Sequence, residues 1–569
     1  MFFQTNPKLL RPLHSLLKDP FKFQAARSIA GPLRECLAHR EDYEDVVALA
    51  ELYDRSRQAA LAVMVRVRPL LESTLSASIQ PESDLSPICR AEFVGEMPQL
   101  FGMSGAKYLS HVSVQSQLER LYDHFELRRM GDGHALKNDD VGTILRFLML
   151  NEVFALCVAG IAKVSRQLNE FEIAAYGDAS IETLRATWFA RTLDQNSHVG
   201  TVALIGRLSR AGATTVGDVT PLILRILDQD LAIAWGRLTK EGRVLKSVQH
   251  LVDAVALVAV VIVAGTRKEL IKMTRADLAL RGLDFSVVSN ILRRQADALV
   301  TDQFIRHAGD NLSVRIEGMS KGLCSYYRAL ETEFEEQNVL REHVGGKFFE
   351  KTYIRRRIED GADYSERYRI RDGFDRYMVL GGASSKVDIE FIIMDTQLEH
   401  YYFVQVKHSL LGEEAFFNAV IEARQGDIGK GINQLREAKR LLNADQLKET
   451  LATRGIKGAT SSNSSFVLLH NIAQFDFQYT DDDIFLYDWA TFRNLLKDAE
   501  CQVGRSDGES YLARLPSPLR IGHPMDVIRR LLAEHPAYKI MAEGTWSAEL
   551  ASTKYHIDGQ SICVKGLGI

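Results

Sequence analysis

Apolar positions follow two different rhythms along the chain. Up to about residue 315 they recur mainly at helical spacing, and in much of the stretch beyond residue 345 they gather into short runs rich in β-branched and aromatic residues. Val46, Val47, Leu49, Leu52, Ala60, Leu61 and Met64 predict helix within about residues 20–72, and the Ser-rich segment Ser73 to Pro87, with Pro81, reads as a linker or long loop. After breaks at Gly131-Asp-Gly-His and Lys137-Asn-Asp-Asp, Asp140 is the expected N-cap of a helix running through Ile144, Leu148, Val153, Leu156, Val158 and Ile161. Leu204 to Leu227 reads as a helix, a break at Ala211-Gly-Ala-Thr-Thr and a second helix near Val219. In the next such pair Thr274 caps the first helix and Arg281-Gly-Leu separates the two. Helix pairs of this kind can hold DNA, but plain helix packing is the commoner outcome.

The character of the chain changes after Gly322. Ser325 to His343 forms a charged amphipathic helix with Leu330, Phe334, Val339 and Leu340 on its apolar side, ended by Gly345-Gly346. Phe348-Phe349-Glu350 and Thr352-Tyr-Ile-Arg-Arg-Arg read as a strand entry, followed by an Arg-rich connection through Arg367, Arg369, Arg371 and Arg376. Lys386 to Asp395 and Tyr401 to His408 are strands, with Thr396-Gln-Leu-Glu as the reversal between them. A helix over Glu413 to Leu442, interrupted near Gly426 to Gly431, leads through the loop Gly458 to Ser465 into strands Phe466 to His470 and Ile484 to Asp488, then a helix from Thr491.

The order α–β–β–β–α–β–β–α implies an α/β domain with a central mixed sheet, preceded by a large all-α N-terminal region. The expected divisions are a helical N-terminal segment over 1–90, a helical recognition or partner-binding domain over 91–320, the α/β domain over 321–500 and a C-terminal tail or subdomain over 501–569. A chain of 569 residues exceeds a single core, which fits several domains.

Composition narrows the function classes. The net charge of −4 gives no global basic signature, so nucleic acid would have to meet a local patch. The six cysteines are scattered with no Cys-x-x-Cys pair, which reads as buried reduced thiols in a cytoplasmic protein and disfavours zinc. The N-terminus lacks the pattern of a signal peptide, and the most apolar run, Ala254 to Ala264, is about half of the roughly 20 residues that span a bilayer. It reads as a buried core helix, with no membrane partner. The chain contains no phosphate-binding Gly-x-x-x-x-Gly-Lys-[Ser/Thr] loop and no His-Glu-x-x-His.

Candidate chemistry concentrates on the hairpin. Strand alternation puts Asp388 and Glu390 on one face, and Gln405 and Lys407 on one face of the partner strand. A divalent Mg²⁺ or Mn²⁺ ion needs one firm carboxylate plus a carbonyl or two, which Asp388, the Gln405 amide oxygen and the Val406 main-chain carbonyl can supply. Lys407 would orient or deprotonate a water and offset phosphate charge. Other polar residues have plainer readings: His408 faces the opposite side of the strand, Asp481-Asp-Asp lies in a solvated turn, and His470 ends an apolar strand. Arg355-Arg-Arg reads either as the lining of a phosphate groove or as a solvated strand edge.

Asp388, with Gln405-Val-Lys407 seventeen positions on, resembles the PD-(D/E)XK nuclease superfamily in the Gln-x-Lys form of Mrr-like restriction enzymes. The resemblance covers roughly residues 325–500, about a third of the chain. It implies a restriction-endonuclease-like fold, Mg²⁺-dependent cleavage of DNA (RNA not being distinguished) and a setting in restriction or antiviral defence. It nominates Gln434, with Lys430, on the helix after the motif, and an upstream acid for which Glu350 is the first choice, followed by Glu331 and Glu335. Val387 stands where the family's name-giving proline would be, and Gln405 replaces the second acid; Glu390 shares the face of Asp388 and can compensate. Two other readings stay open: a non-cleaving nucleic-acid- or protein-binding scaffold on a degenerate nuclease fold, and a nuclease subunit of a transposition or repair complex. A protein partner or a second copy would bind through the helical N-terminal region.

Overall fold

Two long helices, α1 (Tyr43–Ala77) and α2 (Asn138–Val158), pack around Tyr53. Its ring lies 5.2 Å from Phe147 and 4.9 Å from Phe154, and its hydroxyl donates to Asn151 Oδ1 at 2.7 Å. The structure, a computed structural model, describes residues 40–77, 138–158, 160–177, 204–227, 246–264, 270–295, 305–308, 311–315, 319–334, 347–361, 366–380, 383–408, 426–472, 475–504, 510–539 and 553–565, with Leu33, Leu37, Glu182, Ala186, Phe189, Ala190 and Tyr364. Much of the expected 73–87 linker, the Gly131 break and the part of the 413–442 helix before Gly426 lie outside the described residues.

Asp140 sits inside α2, which begins two residues earlier, and Ile161 lies beyond the helix end, after a turn at Gly160 with φ 76°. There the chain enters an antiparallel hairpin, β1 (Ala162–Gln167) and β2 (Glu170–Ala175). A second apolar core follows. It surrounds α4 (Lys246–Ala264), which is packed on all sides by α3 (Thr220–Arg225), α6 (Phe285–Gln295) and α7 (Met319–Glu333). Burial around its whole circumference explains why the Ala254–Ala264 run is apolar throughout. Among the described residues no helix is long and apolar enough to cross a membrane. Thr274 caps α5 (Arg275–Leu280) in a reciprocal capping box with Asp277, and Gly282, at φ 80°, turns the chain towards α6. Strands β3 (Leu270–Met273), β4 (Ile305–Ala308) and β5 (Asn311–Arg315) form a small antiparallel sheet.

The helix expected from Ser325 starts earlier, at Met319, and the segment expected as a strand entry is helical. Phe349–Tyr353 forms a π turn that runs into α8 (Ile354–Glu359), with Phe349, Tyr353, Ile354 and Ile358 buried. Their spacing of four to five residues is that of one helix face, which the aromatic and β-branched composition masked. The Arg-rich connection is itself a strand, β6 (Tyr368–Leu380), antiparallel to β7 (Ala383–Asp395). Then come β8 (His400–Val406), α9 (Asp427–Asn443), α10 (Lys448–Ala452), β9 (Ser464–His470), β10 (Gln478–Tyr479), β11 (Ile484–Asp488) and α11 (Trp489–Leu495).

The six strands are ordered β10-β11-β9-β8-β7-β6, a mixed sheet with β8, β9 and β11 parallel. Its centre is covered on both sides, which is why β9 reads Phe-Val-Leu-Leu without alternation. The core that includes Phe403, Phe466 and Leu468 takes in α9, whereas the core holding Tyr402, Val404, Val467 and Leu469 takes in the π turn, α8 and α11.

Beyond the sheet, β12 (Cys501–Gly504) pairs with β13 (Ser510–Ala513), and α12 (Pro524–Glu534) joins the α11 side. The chain ends the described region with the hairpin β14 (Thr553–Ile557) and β15 (Gln560–Lys565). β15 pairs in parallel with β2, Ser561 against Glu170 through Lys565 against Ala174, giving a four-stranded mixed sheet β1-β2-β15-β14. The expectation of an all-α N-terminal region is therefore corrected: among the described residues between 162 and 315 there are five strands. These strands are four to six residues long, and one of the two sheets is completed only from the far end of the chain, so local periodicity carried little sign of them.

Candidate active site

The β7–β8 reversal is fixed from below by charge. Asp395, fully buried, accepts from the main-chain N–H groups of Gln397 and Leu398 in the turn, and from Arg367 Nε and Nη2 at 2.7–3.1 Å. Arg367 also reaches Asp498 and the Leu519 carbonyl. This arginine is thus a structural clamp rather than a phosphate-groove residue. Above the turn the β7–β8 ladder runs from Asp395–His400 to Phe391–Val404 and ends there. Asp388 and Glu390 lie beyond that last rung on β7, alternating with buried Val387, Ile389 and Phe391. By the same alternation the Val406 carbonyl points towards β7 where the two strands have parted, since Lys407 N points the other way and donates to Leu469 O at 2.8 Å.

Gln405 and Lys407 are both buried, at 0 % and 6 % exposure, on the side of β8 that meets α9. The carboxamides of Gln405 and Gln434 are hydrogen-bonded at 2.8 Å, and Gln434 reaches Asp388 Oδ2 at 3.3 Å. Lys430 is exposed one turn earlier on α9. Glycine makes this fit possible. A Cβ at Gly431 would lie 2.7 Å from Leu468 Cδ1 and 3.2 and 3.3 Å from Lys407 Cγ and Cε, so the lysine stem lies across the space a side chain would take. On β6, Gly373 is equally constrained: a Cβ there would meet the Ile389 carbonyl oxygen, beside the acidic pair.

Electrostatics brings a further segment into the site. Burial first, and the neighbouring Asp388 charge second, push the Glu390 carboxyl up from 4.5 to about 7; Glu350 acts in the same direction, and Lys407 and Lys351 oppose it. Glu350 is therefore within electrostatic reach of the hairpin acids. It is held there by the π turn, whose Phe349 and Tyr353 anchor it in the core. Asp388, Glu390, Gln405, Lys407, Gln434 and Glu350 thus form one neighbourhood. Glu331 lies in α7, and Glu335 falls outside the described residues.

Several polar residues singled out in the sequence lie elsewhere. Arg355 pairs with Glu359 and Asp372, and the Arg357 guanidinium sits 5.8 Å from the Tyr353 ring centre. Asp482 and Asp483 pair with Arg436 and Lys439 of α9 and tie the β10–β11 turn to that helix. The His408 ring packs 5.0 Å from Phe349. His470 is buried, and burial lowers its pKa to about 3, so it is neutral. Cys157 and Cys563 are buried free thiols.

Gly431 and Gly373 are the residues that sequence reasoning missed. The expected interruption at Gly431 does not occur: α9 runs through it, and its place three residues before Gln434 puts it on the same helix face. Gly373, alone within an otherwise strand-forming run, carried the usual sign of a close backbone approach.

Among the described residues no group of three or more His, Cys, Asp or Glu side chains is arranged to hold a metal ion. The donor set fits Mg²⁺ or Mn²⁺ better than zinc, because it offers carboxylate, carboxamide and main-chain oxygens in place of thiolate and imidazole. A cation would also offset the burial and the neighbouring Asp388 charge that raise Glu390. No protein-family model, no curated protein and no solved structure matches this chain.

Proposed function

We propose that this protein is a Mg²⁺- or Mn²⁺-dependent endonuclease that hydrolyses DNA phosphodiester bonds. The observation that carries the reading is the meeting of Asp388, Glu390 and Lys407 where β7 and β8 part, with Gln434 of α9 against Asp388 and Glu350 felt from the π turn. Asp388, the Val406 carbonyl and a carboxamide oxygen would hold the ion. Bound there, the ion would act as a Lewis acid and lower the pKa of a water.

The chain's own groups account for the rest of the chemistry. The Lys407 ammonium, buried beside the acids, offsets charge on a phosphate oxygen in a setting where water screens it weakly. Glu390, whose carboxyl is raised by burial and by the Asp388 charge and is returned towards its ionised form by a neighbouring cation, would accept the proton from the attacking water. The water oxygen bonds to phosphorus, the bond from phosphorus to the departing sugar oxygen breaks, and that oxygen takes a proton from solvent. A setting in restriction or antiviral defence, with residues 1–320 choosing the target or partner, rests on the family resemblance alone.

Supercoiled plasmid incubated with Mg²⁺ or Mn²⁺ tests the proposal. Wild type is expected to nick it, and Asp388→Ala and Lys407→Ala to lose at least about a hundredfold in rate, the scale of a lost electrostatic stabiliser. Equal nicking by all three proteins would remove the site assignment. Cleavage of single-stranded RNA in place of plasmid would correct the substrate.

A further inference from the structure

The contacts between Lys407, Gln405, Gln434 and Asp388 restrict how the two carboxamides can be oriented. One terminal atom of the Gln405 carboxamide lies 2.8 Å from Gln434 and 3.0 Å from Lys407 Nζ, and its other terminal atom lies 3.1 Å from the Asp388 main-chain oxygen. An ammonium is a donor only and a carbonyl oxygen an acceptor only. Only one orientation of Gln405 suits both neighbours: Lys407 Nζ donates to Oε1, and Nε2 donates to the Asp388 main-chain oxygen. The reverse orientation sets an NH₂ against the ammonium and an oxygen against an oxygen.

That choice propagates. With Oε1 of Gln405 facing Gln434, the Gln434 carboxamide must turn its NH₂ towards it across the 2.8 Å contact. Its own oxygen is then left at the 3.3 Å position next to Asp388 Oδ2. Two oxygen acceptors that close repel each other unless a positive charge lies between them. Adjacent oxygens on an octahedral Mg²⁺, with bonds of about 2.1 Å, are about 3 Å apart.

We infer that Gln434 is an oxygen ligand of the divalent cation, turned into that role by a relay of two carboxamides that begins at the Lys407 ammonium. The inference rests on reading the site as metal-dependent. It assigns Gln434 the ligand role expected of Gln405, whose oxygen is engaged by Lys407 and Gln434, and it makes Gln405 a positioning residue. It also assigns Lys407 a second task, since the ammonium selects which end of Gln434 faces Asp388.

The test is Mn²⁺ titration of the full-length protein at pH 7.5, read by loss of the free-ion electron paramagnetic resonance signal, with plasmid nicking measured in parallel. Gln434→Leu is expected to weaken Mn²⁺ binding at least tenfold, and Gln434→Glu, which retains an oxygen there, to bind at least as tightly as wild type. Lys407→Met separates the relay from simple electrostatics. Removing a nearby positive charge should strengthen cation binding, whereas freeing Gln405 to turn should weaken it; the expected result is at least threefold weaker. Wild-type affinity in Gln434→Leu, or tighter binding in Lys407→Met, overturns the relay. Mn²⁺ binding that follows the expected order while neither plasmid nor single-stranded RNA is cleaved keeps the relay and refutes the nuclease reading. A wild-type protein that binds no Mn²⁺ at millimolar concentration overturns both.

Discussion

Replacing Glu390 with glutamine tests the electrostatic description of the site most directly, because the sign of its effect runs against intuition for a candidate active-site change. In the folded protein this carboxyl titrates at about 7, against 4.5 for an ordinary glutamate. Below about pH 4.5 it is protonated in both states and contributes no pH dependence. Between 4.5 and 7 the unfolded chain has released the proton while the folded chain retains it, so stability falls as pH rises through this window and levels off above it. At about 1.4 kcal/mol per unit, the full shift corresponds to about 3 kcal/mol lost by pH 8. Glu390→Gln has no such titration. It should match wild type near pH 4.5 and exceed it by up to about 3 kcal/mol at pH 8 without metal.

Urea unfolding at half-unit pH steps, followed by tryptophan fluorescence, measures this, since Trp489 is buried in the same domain. Mg²⁺ at pH 8 should narrow the gap, because a cation favours the ionised carboxylate and the variant has none. Parallel pH profiles for the two proteins in the absence of metal would refute the account of a crowded, buried acid.

Three further outcomes follow from the packing. Gly431→Ala forces a methyl group against Leu468 and the Lys407 stem; overpacking of this kind typically costs about 1–3 kcal/mol, and plasmid nicking should fall further than thermal stability does. Arg367→Met leaves Asp395 and Asp498 without their guanidinium, and breaking a buried pair this way costs about 3–5 kcal/mol, read as a lower urea midpoint; an unchanged midpoint would show that the clamp is dispensable. Removing residues 553–569 strips β15 from β2 and opens a strand edge bearing Phe171 and Ile173, so concentration-dependent association should appear in size-exclusion chromatography.

The hairpin was legible in the sequence because its signals are local. β-branched and aromatic runs around a short polar turn define the two strands, and alternation alone groups Asp388 with Glu390 and Gln405 with Lys407. The Thr274 cap and the buried α4 were legible for the same reason, each being written within a few helical turns. The strand expected around Glu350 is a helical turn, because Phe349, Tyr353 and Ile354 have the composition of a strand and the spacing of a helix.

By itself, then, the sequence determined the hairpin, the helix carrying Gln434, and which polar residues share a face, since all of these depend on periodicity over a handful of residues. The tertiary structure alone decided how the pieces meet. The β7–β8 ladder ends at Phe391–Val404, and the acids lie beyond it. Gly431 lets α9 approach closely enough for Gln434 to touch Gln405 and Asp388, and the last strand crosses the length of the chain to pair with β2. Those contacts join residues tens to hundreds of positions apart. Their energies depend on distances between separate elements, which the pattern within any one element does not encode.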